Sequence, residues 1–386
     1  MLIKTTEALA DFCAAAERHP YITVDTEFLR ERTYFSQLCL IQVGYPGLEV
    51  DEIALIDVLE PGLSMDPLLA LFKNPDVIKV FHAARQDLEI FWHDYGVFPE
   101  PFFDTQIAAM VCGFGDQVGY ETLVKRVAKA TMDKSSRFTD WSQRPLTEKQ
   151  LFYAANDVTH LRDIYEKFCD RIQRAGRMEW VKEEMAAMVE PSLYDVSPGN
   201  AWRRVRTRNA RGRTLAAVIK LAEFREEIAQ KRNIPRGRVF KDEALMELAA
   251  NRPMSISDLS KSRLLTKEAR GGAVADGIIA SVKASLEIPP SELPEVVQTR
   301  NDTQAYEAVA DLLRVLLKAV VEREQVASKL IASAADLDAI AQGERDVPAL
   351  KGWRRKIFGE TALKICSGTT GLVVEQGKVK EFDISA

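Results

Sequence analysis

The stretch YITVDTEF (residues 21–28) sets two carboxylates, Asp25 and Glu27, two positions apart in an apolar run. In an extended strand alternate side chains share a face, so both acids point the same way, with Cβ atoms about 6–7 Å apart. Further along, FHAARQDLEIF (81–91) puts Asp87 in the first turns of a helix, and QLFYAANDVTHL (150–161) puts Tyr153 and Asp157 at i and i+4 of another. That spacing places phenol and carboxylate on one helix face, Cβ atoms about 5–6 Å apart. Brought together, four carboxylates would form a set of hard oxygen donors, suited to a divalent cation such as Mg²⁺ or Mn²⁺ rather than zinc. Taken singly, each has a plainer reading: solvent-facing acids, a carboxylate complementing a helix N-terminus, a core aromatic.

The elements that must position these residues follow from residue patterning. YITVDTEF, SQLCLIQVG (36–44) and IALIDV (53–58) are β-branched and apolar and predict strands, with the turn-rich GYPGLEVDE before the third. A helix is predicted over 65–73, a strand over 77–83 and a helix over 85–95; after GVFPEPFFD (96–104) the pattern is mainly helical. Strands first and helices next indicate a mixed sheet covered by helices, an α/β layer fold. PSLYDVSPGN (191–200) and EIPPSELPE (287–295) are proline-rich and predict linkers. They separate two helical segments of similar size and similar element order, offset by 91–92 residues, which suggests a duplicated small all-α module.

The chain has 386 residues, enough for two or three domains, and its 46% hydrophobic content allows real cores. No uncharged apolar run of about 18 residues is present to cross a bilayer, and Asp11 and Glu17 interrupt the apolar patch near the N-terminus. The five cysteines are scattered without a CxxC pair, which argues against a disulfide frame or a zinc knuckle. A cytoplasmic protein is expected. The net charge of −5 conceals an asymmetry: residues 1–200 carry 20 basic and 32 acidic side chains, residues 201–386 carry 32 and 25. The sharpest basic concentration is RRVRTRNARGR (203–213), six arginines in eleven positions. Such a face suits phosphates, or else is a solvated helix surface.

VDTEF, HAARQD and YAAND, in that order, together resemble the DEDD 3′→5′ exonucleases of the ribonuclease H-like fold, tyrosine subclass. DWSQRPLTEKQLFYAANDVTHL (140–161) is similar to the bacterial ribonuclease D family. FREEIAQKRNIPRGRVFKDEALMELA (224–249) and, more weakly, GWRRKIFGETALKICSG (352–368) resemble the helicase-and-ribonuclease-D C-terminal (HRDC) domain. The resemblance implies an α/β ribonuclease H-like exonuclease domain with a mixed sheet over 1–190 and a linker over 191–200. A first all-α HRDC domain would span 201–286, a linker 287–300, and a second HRDC-like domain with a tail 301–386. It further implies two Mg²⁺ or Mn²⁺ ions, with Asp25 bridging both, Glu27 and Asp157 completing the first, and Asp87 holding the second. Tyr153 would orient the attacking water. Physical chemistry agrees: two unit charges 4 Å apart repel by about 4 kcal/mol at an effective dielectric near 20, so converging carboxylates call for cations. A metal pair can activate water and stabilise the leaving oxygen of a phosphodiester.

The implied substrate is RNA with a single-stranded 3′ end, tRNA precursors first, cut to nucleoside 5′-monophosphates; no membrane and no obligatory protein partner are expected. Substrate contacts are assigned to Phe28, by base stacking or else as a packed core ring, to His82 toward phosphate or else as a structural histidine at a strand end, and to Arg144 toward phosphate. Lys134 and Arg137 are further phosphate candidates, whereas Asp140 and Trp141 read as loop anchors. Arg203, Arg204, Arg206 and Arg208 would add affinity from the first helical module. The rival readings are a DNA 3′→5′ exonuclease, which uses the same acids, and a non-catalytic nucleic-acid adaptor, which the intact acid set disfavours.

Overall fold

The computed structural model describes residues 1–132, 139–207, 210–294 and 303–384. Contacts divide the chain into two compact units, one spanning Met1–Glu27, Cys39–Glu190 and Arg300–Ala386, the other Phe28–Leu38 and Pro191–Thr299. No helix among the described residues is long and apolar enough to cross a membrane.

The first unit is built on a six-stranded sheet of β1 (Leu2–Ile3), β2 (Tyr21–Leu29), β3 (Gln37–Gly44), β4 (Ala54–Ile56), β5 (Ile78–Phe81) and β6 (Phe102–Asp104). Its spatial order is β1-β4-β3-β2-β5-β6. β2, β5 and β6 run parallel, whereas β3 and β4 are antiparallel, so the sheet is mixed as expected. Tyr21, Ile22, Thr23 and Val24 are all buried, because a central strand covered on both faces needs a continuous apolar run. Burial relaxes at Asp25 and Glu27, where the strand leaves that covered layer.

Helices α1 (Thr6–Ala16), α2 (Asp66–Lys73), α3 (Arg85–Tyr95), α4 (Thr105–Val111), α5 (Tyr120–Leu123), α6 (Glu148–Arg174) and α7 (Met178–Met188) complete the core of this unit. α6 opens on a reciprocal capping box between Thr147 and Gln150. It buries Ala154, Asp157, Val158, Leu161, Tyr165, Phe168 and Ile172 at helical spacing, so one stripe carries both core residues and a candidate acid. Gly44 makes close packing possible here: a Cβ at that position would lie 2.8 Å from Ile53 Cδ1 and 3.7 Å from Val158 Cγ2.

The chain from α13 (Thr303–Glu324, numbered after the second unit's helices) through α14 (Ser328–Ile331), α15 (Ala334–Ala341), α16 (Gly352–Arg354) and α17 (Glu360–Cys366) belongs to the same unit. The Ala327 amide donates to Met110 O at the end of α4, and Gly113, at φ +76, lets the Gln325 carbonyl approach closer than any side chain would permit. Arg177 donates to Val111 O and Glu324 O, while buried Glu184 accepts from Trp353 Nε1 and Arg354 Nη2. A hairpin of β7 (Thr370–Glu375) and β8 (Lys378–Asp383) follows, so the all-α expectation for this region needs correction. Gln376 (φ 51) and Gly377 (φ 77) form its two-residue turn, both left-handed, as such hairpins require.

The second unit contains α8 (Gly212–Lys231), α9 (Arg236–Val239), α10 (Asp242–Asn251), α11 (Ile256–Leu259) and α12 (Gly272–Glu287) around one apolar core that includes Leu221, Phe240, Leu245, Leu248 and Ile278. Glu226 and Arg225 are the charged residues α8 buries, and both are paired, Arg225 to Asp242 at 2.7 Å. Arg225 is the buried partner of that pair, Asp242 being half exposed, and it also donates to Phe240 O at 3.2 Å. Arg225→Ala, which removes these buried hydrogen bonds, should lower the unfolding free energy of the second unit by about 1–3 kcal/mol, and urea melts of the full chain check this.

Candidate active site

Asp25, Glu27 and Asp157 each offer a carboxylate oxygen, and these oxygens all lie within 4.8 Å of one another. β2 supplies the first two and α6 the third, as the period-2 and i,i+4 patterns predict. Asp25 and Asp157 line a cavity of about 260 Å³, with His82, Tyr120, Met132 and Tyr153 among its other residues. Neither lysine nor arginine is among the described residues lining it. Burial raises the Asp25 carboxyl well above its ordinary range and repulsion from Asp157 adds to this, against a hydrogen bond from the Thr26 backbone. Three hard oxygen donors fit one divalent ion, which would take its remaining ligands from water or substrate.

Asp87 stands outside this group of three. Its carboxylate accepts a short hydrogen bond from the hydroxyl of Thr26, the residue between the two strand acids. Burial pushes the Asp87 carboxyl up to about 8, with repulsion from Asp25 second. The expected four-acid set is thus three converging acids and a fourth tied to the same strand by a hydroxyl. A carboxylate this buried needs a donor, and Thr26 is within reach.

Tyr153 is half-buried on α6, where the indole of buried Trp141 lies 6.1 Å from its ring. Burial first, and then the charges of Asp157, Glu27 and Asp25, raise its phenol further above its ordinary value, so it stays protonated. Two positioning residues escaped the sequence reading. The Tyr120 hydroxyl makes a short bond to the Asp157 backbone carbonyl, and its ring lies 5.2 Å from that of His82. Asp104 accepts from the amides of Ala83 (3.0 Å), Ala84 (2.8 Å) and Gln106 (2.7 Å). It thereby caps α4 and holds Ala83 at φ 58, fixing the turn that launches α3 and Asp87. Asp before a helix was a legible cap signal; nothing in the sequence marked Tyr120.

The remaining candidates divide. His82 lines the cavity with Nδ1 3.0 Å from Thr105 Oγ1, and burial lowers its pKa against the pull of Asp104, so the ring is a neutral wall. Arg144 is corrected from phosphate contact to loop anchor: it binds both oxygens of buried Asp57 (2.8 and 2.6 Å) and the carbonyls of Cys39 and Trp141. Arg204 is exposed, but its guanidinium is engaged by the protein, paired to buried Glu226 at 3.0 Å and bonded to Asp195 O. Arg203 and Arg206 are exposed. Phe28 is half-buried in the second unit. Arg208, Lys134 and Arg137 lie outside the described residues.

A mixed sheet with helices on it and acids gathered at the end of its central strand defines a nuclease-type active site, and comparison gives its class. A family profile described as 3′-5′ exonuclease matches residues 1–173, and one described as HRDC domain matches residues 214–271, a single such domain where two were expected. The chain is 54% identical over 382 residues to ribonuclease D of Jannaschia sp., covering 99% of each, and 46% identical over 385 residues to that of Nitrobacter hamburgensis, covering 100% of each. The crystal structure of Escherichia coli RNase D, described as an exoribonuclease involved in structured RNA processing, superposes with a TM-score of 0.86 at 30% identity, covering 95% of this chain and 98% of that one. The chain belongs to the ribonuclease D family of 3′–5′ exoribonucleases.

Two predictions follow from the geometry. A carboxyl whose folded pKa is raised stabilises the fold below its unfolded pKa, and that contribution is lost as pH rises through the folded value. For Asp87 the window runs from the ordinary 3.8 to about 8. In chelator the melting temperature should fall across this window, and added Mg²⁺ should restore more of it at pH 8 than at pH 5, checked by scanning calorimetry. Arg144→Ala, which leaves Asp57 buried without its cation, should cost about 3–5 kcal/mol of stability in urea denaturation, with no change in the salt dependence of RNA binding.

Proposed function

We propose that this exoribonuclease works with two divalent cations, Mg²⁺ or Mn²⁺, and that its substrates are tRNA precursors and other structured RNAs with a single-stranded 3′ end. The observation that carries the reading is the convergence of the Asp25, Glu27 and Asp157 carboxylates, two of them lining one cavity, with Asp87 held against the same strand. Asp25, Glu27 and Asp157 would hold the first ion; Asp25 and Asp87 would hold the second. Bound there, the ions supply acidification of a water and charge stabilisation at the leaving oxygen. The protonated Tyr153 hydroxyl orients the attacking water, with Trp141 packed against its ring. Tyr120 holds the α6 backbone at Asp157, and Asp104 holds the turn before Asp87. His82, neutral, closes the cavity wall against which the terminal nucleotide sits. Phe28 remains a candidate for stacking on a base.

The exposed Arg203 and Arg206, with Arg208, supply phosphate affinity from the second unit, which suits a body of structured RNA whose tail is being trimmed. We place the protein in the cytoplasm, where such precursors are made. We also propose that residues 201–286 act as the HRDC domain between linkers at 191–200 and 287–300, and that 301–386 is a diverged second copy after the exonuclease domain of 1–190.

The decisive assay is digestion of 5′-labelled RNA and matched DNA, with free or blocked 3′ ends, in Mg²⁺ and Mn²⁺. Stepwise loss of 5′-monophosphates from free RNA ends is expected; equal or faster digestion of DNA would give the reading to the DNA rival. Tyr153→Phe should cut kcat by about 10²-fold or more, and Asp157→Asn should abolish turnover while leaving the metal-free fold as stable as the parent or more so. The paired change Arg203→Ala with Arg206→Ala should lower the slope of log K against log salt by about 1–2, read by filter binding.

A further inference from the structure

Glu226 is the most thoroughly buried acid of the second unit, and its partners are more numerous than packing alone requires. Its carboxylate takes Arg204 Nη1 at 3.0 Å, Arg236 Nε at 2.8 Å and a short bond from the Tyr34 hydroxyl. Gln230 Nε2 donates to the same Tyr34 oxygen at 3.2 Å, and the Arg236 guanidinium lies 5.4 Å over the Tyr34 ring. Asn233, itself at a left-handed φ of 46, offers Oδ1 to the amides of Tyr34 (3.0 Å) and Phe35 (3.1 Å). The hydroxyl and the backbone amide of this tyrosine are therefore held by α8 and the turn after it.

Tyr34 sits seven residues beyond Glu27, in the segment that carries the chain out of β2 and back into β3. That segment, Phe28–Leu38, packs with the helical unit. Past Leu29 it has no regular secondary structure until Gln37, so its conformation is set by these side-chain anchors. An unanchored loop there would let the end of β2 fray, and the end of β2 carries two of the three converging acids.

We propose that Tyr34 and Glu226 are positioning residues for the exonuclease reaction: the HRDC-containing unit fixes the loop leaving the catalytic strand, and so sets the orientation of Glu27, in addition to any RNA it binds. This rests on the assignment of Glu27 as an active-site acid given above. It separates two tasks of the helical unit. One acts on affinity for long RNA; the other acts on the chemical step and is present for substrates too short to reach that unit's basic face.

The test uses the full chain and Tyr34→Phe, which deletes one hydroxyl and keeps the ring beneath Arg236. Amide hydrogen exchange of the metal-free protein reads the loop directly. Exchange over residues 25–30 and 31–36 should quicken by about fivefold or more while the other sheet strands stay at parent values. Single-turnover cleavage of a four-nucleotide 5′-labelled RNA should slow by about five- to tenfold with KM unchanged. Asp258→Ala removes the carboxylate that accepts from Ser255 Oγ and the Met254 amide at the start of α11, elsewhere in the same unit, and should leave both readouts at parent values, which controls for general loosening. Parent-like exchange and rate in Tyr34→Phe would overturn the proposal, as would equal losses in Asp258→Ala. Whether the parent cleaves RNA at all bears on the nuclease reading, whereas the exchange pattern bears on this one.

Discussion

Like charges gathered in a place where water cannot fully screen them are the constraint on which this structure turns. At an effective dielectric near 20, two carboxylates 4 Å apart cost about 4 kcal/mol, and three or four cost more than a marginally stable fold can spare without help. Neither lysine nor arginine is among the described cavity-lining residues, and both Asp25 and Asp87 respond by holding protons above the ordinary carboxylate range. A hydroxyl from Thr26 and backbone amides blunt the repulsion without cancelling it. What remains is an affinity for small hard cations.

Much of the surrounding architecture serves to keep the repelling groups together. β2 is buried on both faces up to Val24, so Asp25 and Glu27 cannot retreat along it. α6 commits its apolar stripe to the core on either side of Asp157, and Tyr120 bonds the backbone at that residue. Asp104 fixes the turn ahead of Asp87. Arg144 and Asp57 pin the loop that leads into α6. The C-terminal helices close over α4 and α7 through Arg177 and Glu184, which adds burial to the same unit. The stability of these distant contacts is what supports a strained centre.

Those parts legible in the sequence were the ones with a strong period or a strong residue type. Central strands read as continuous β-branched runs, α3 and α6 read from their apolar spacing, and the acids stood out because carboxylates in such runs are unusual. β1 and β6 did not read, since two or three residues carry no period and only neighbouring strands define them. The β7–β8 hairpin alternates on an exposed ribbon whose turn uses Gln376, a residue type that seldom announces a left-handed conformation. Arg144 looked like a phosphate contact from its place just before the Tyr153 motif, and Arg204 from its place in a run of arginines; neither signal reveals the buried partners Asp57 and Glu226. Thr26, between the two acids, alternates to the other face of the strand, and its hydroxyl there meets Asp87.

Catalysis at these carboxylates requires that they hold cations. Anomalous diffraction at the manganese edge, from crystals grown in Mn²⁺, locates such ions without reference to activity. A peak within bonding distance of Asp25, Glu27 and Asp157, with a second beside Asp25 and Asp87 when nucleotide is present, is the expected result. Crystals that bind Mn²⁺ elsewhere and show no peak among these acids, with or without nucleotide, would contradict it.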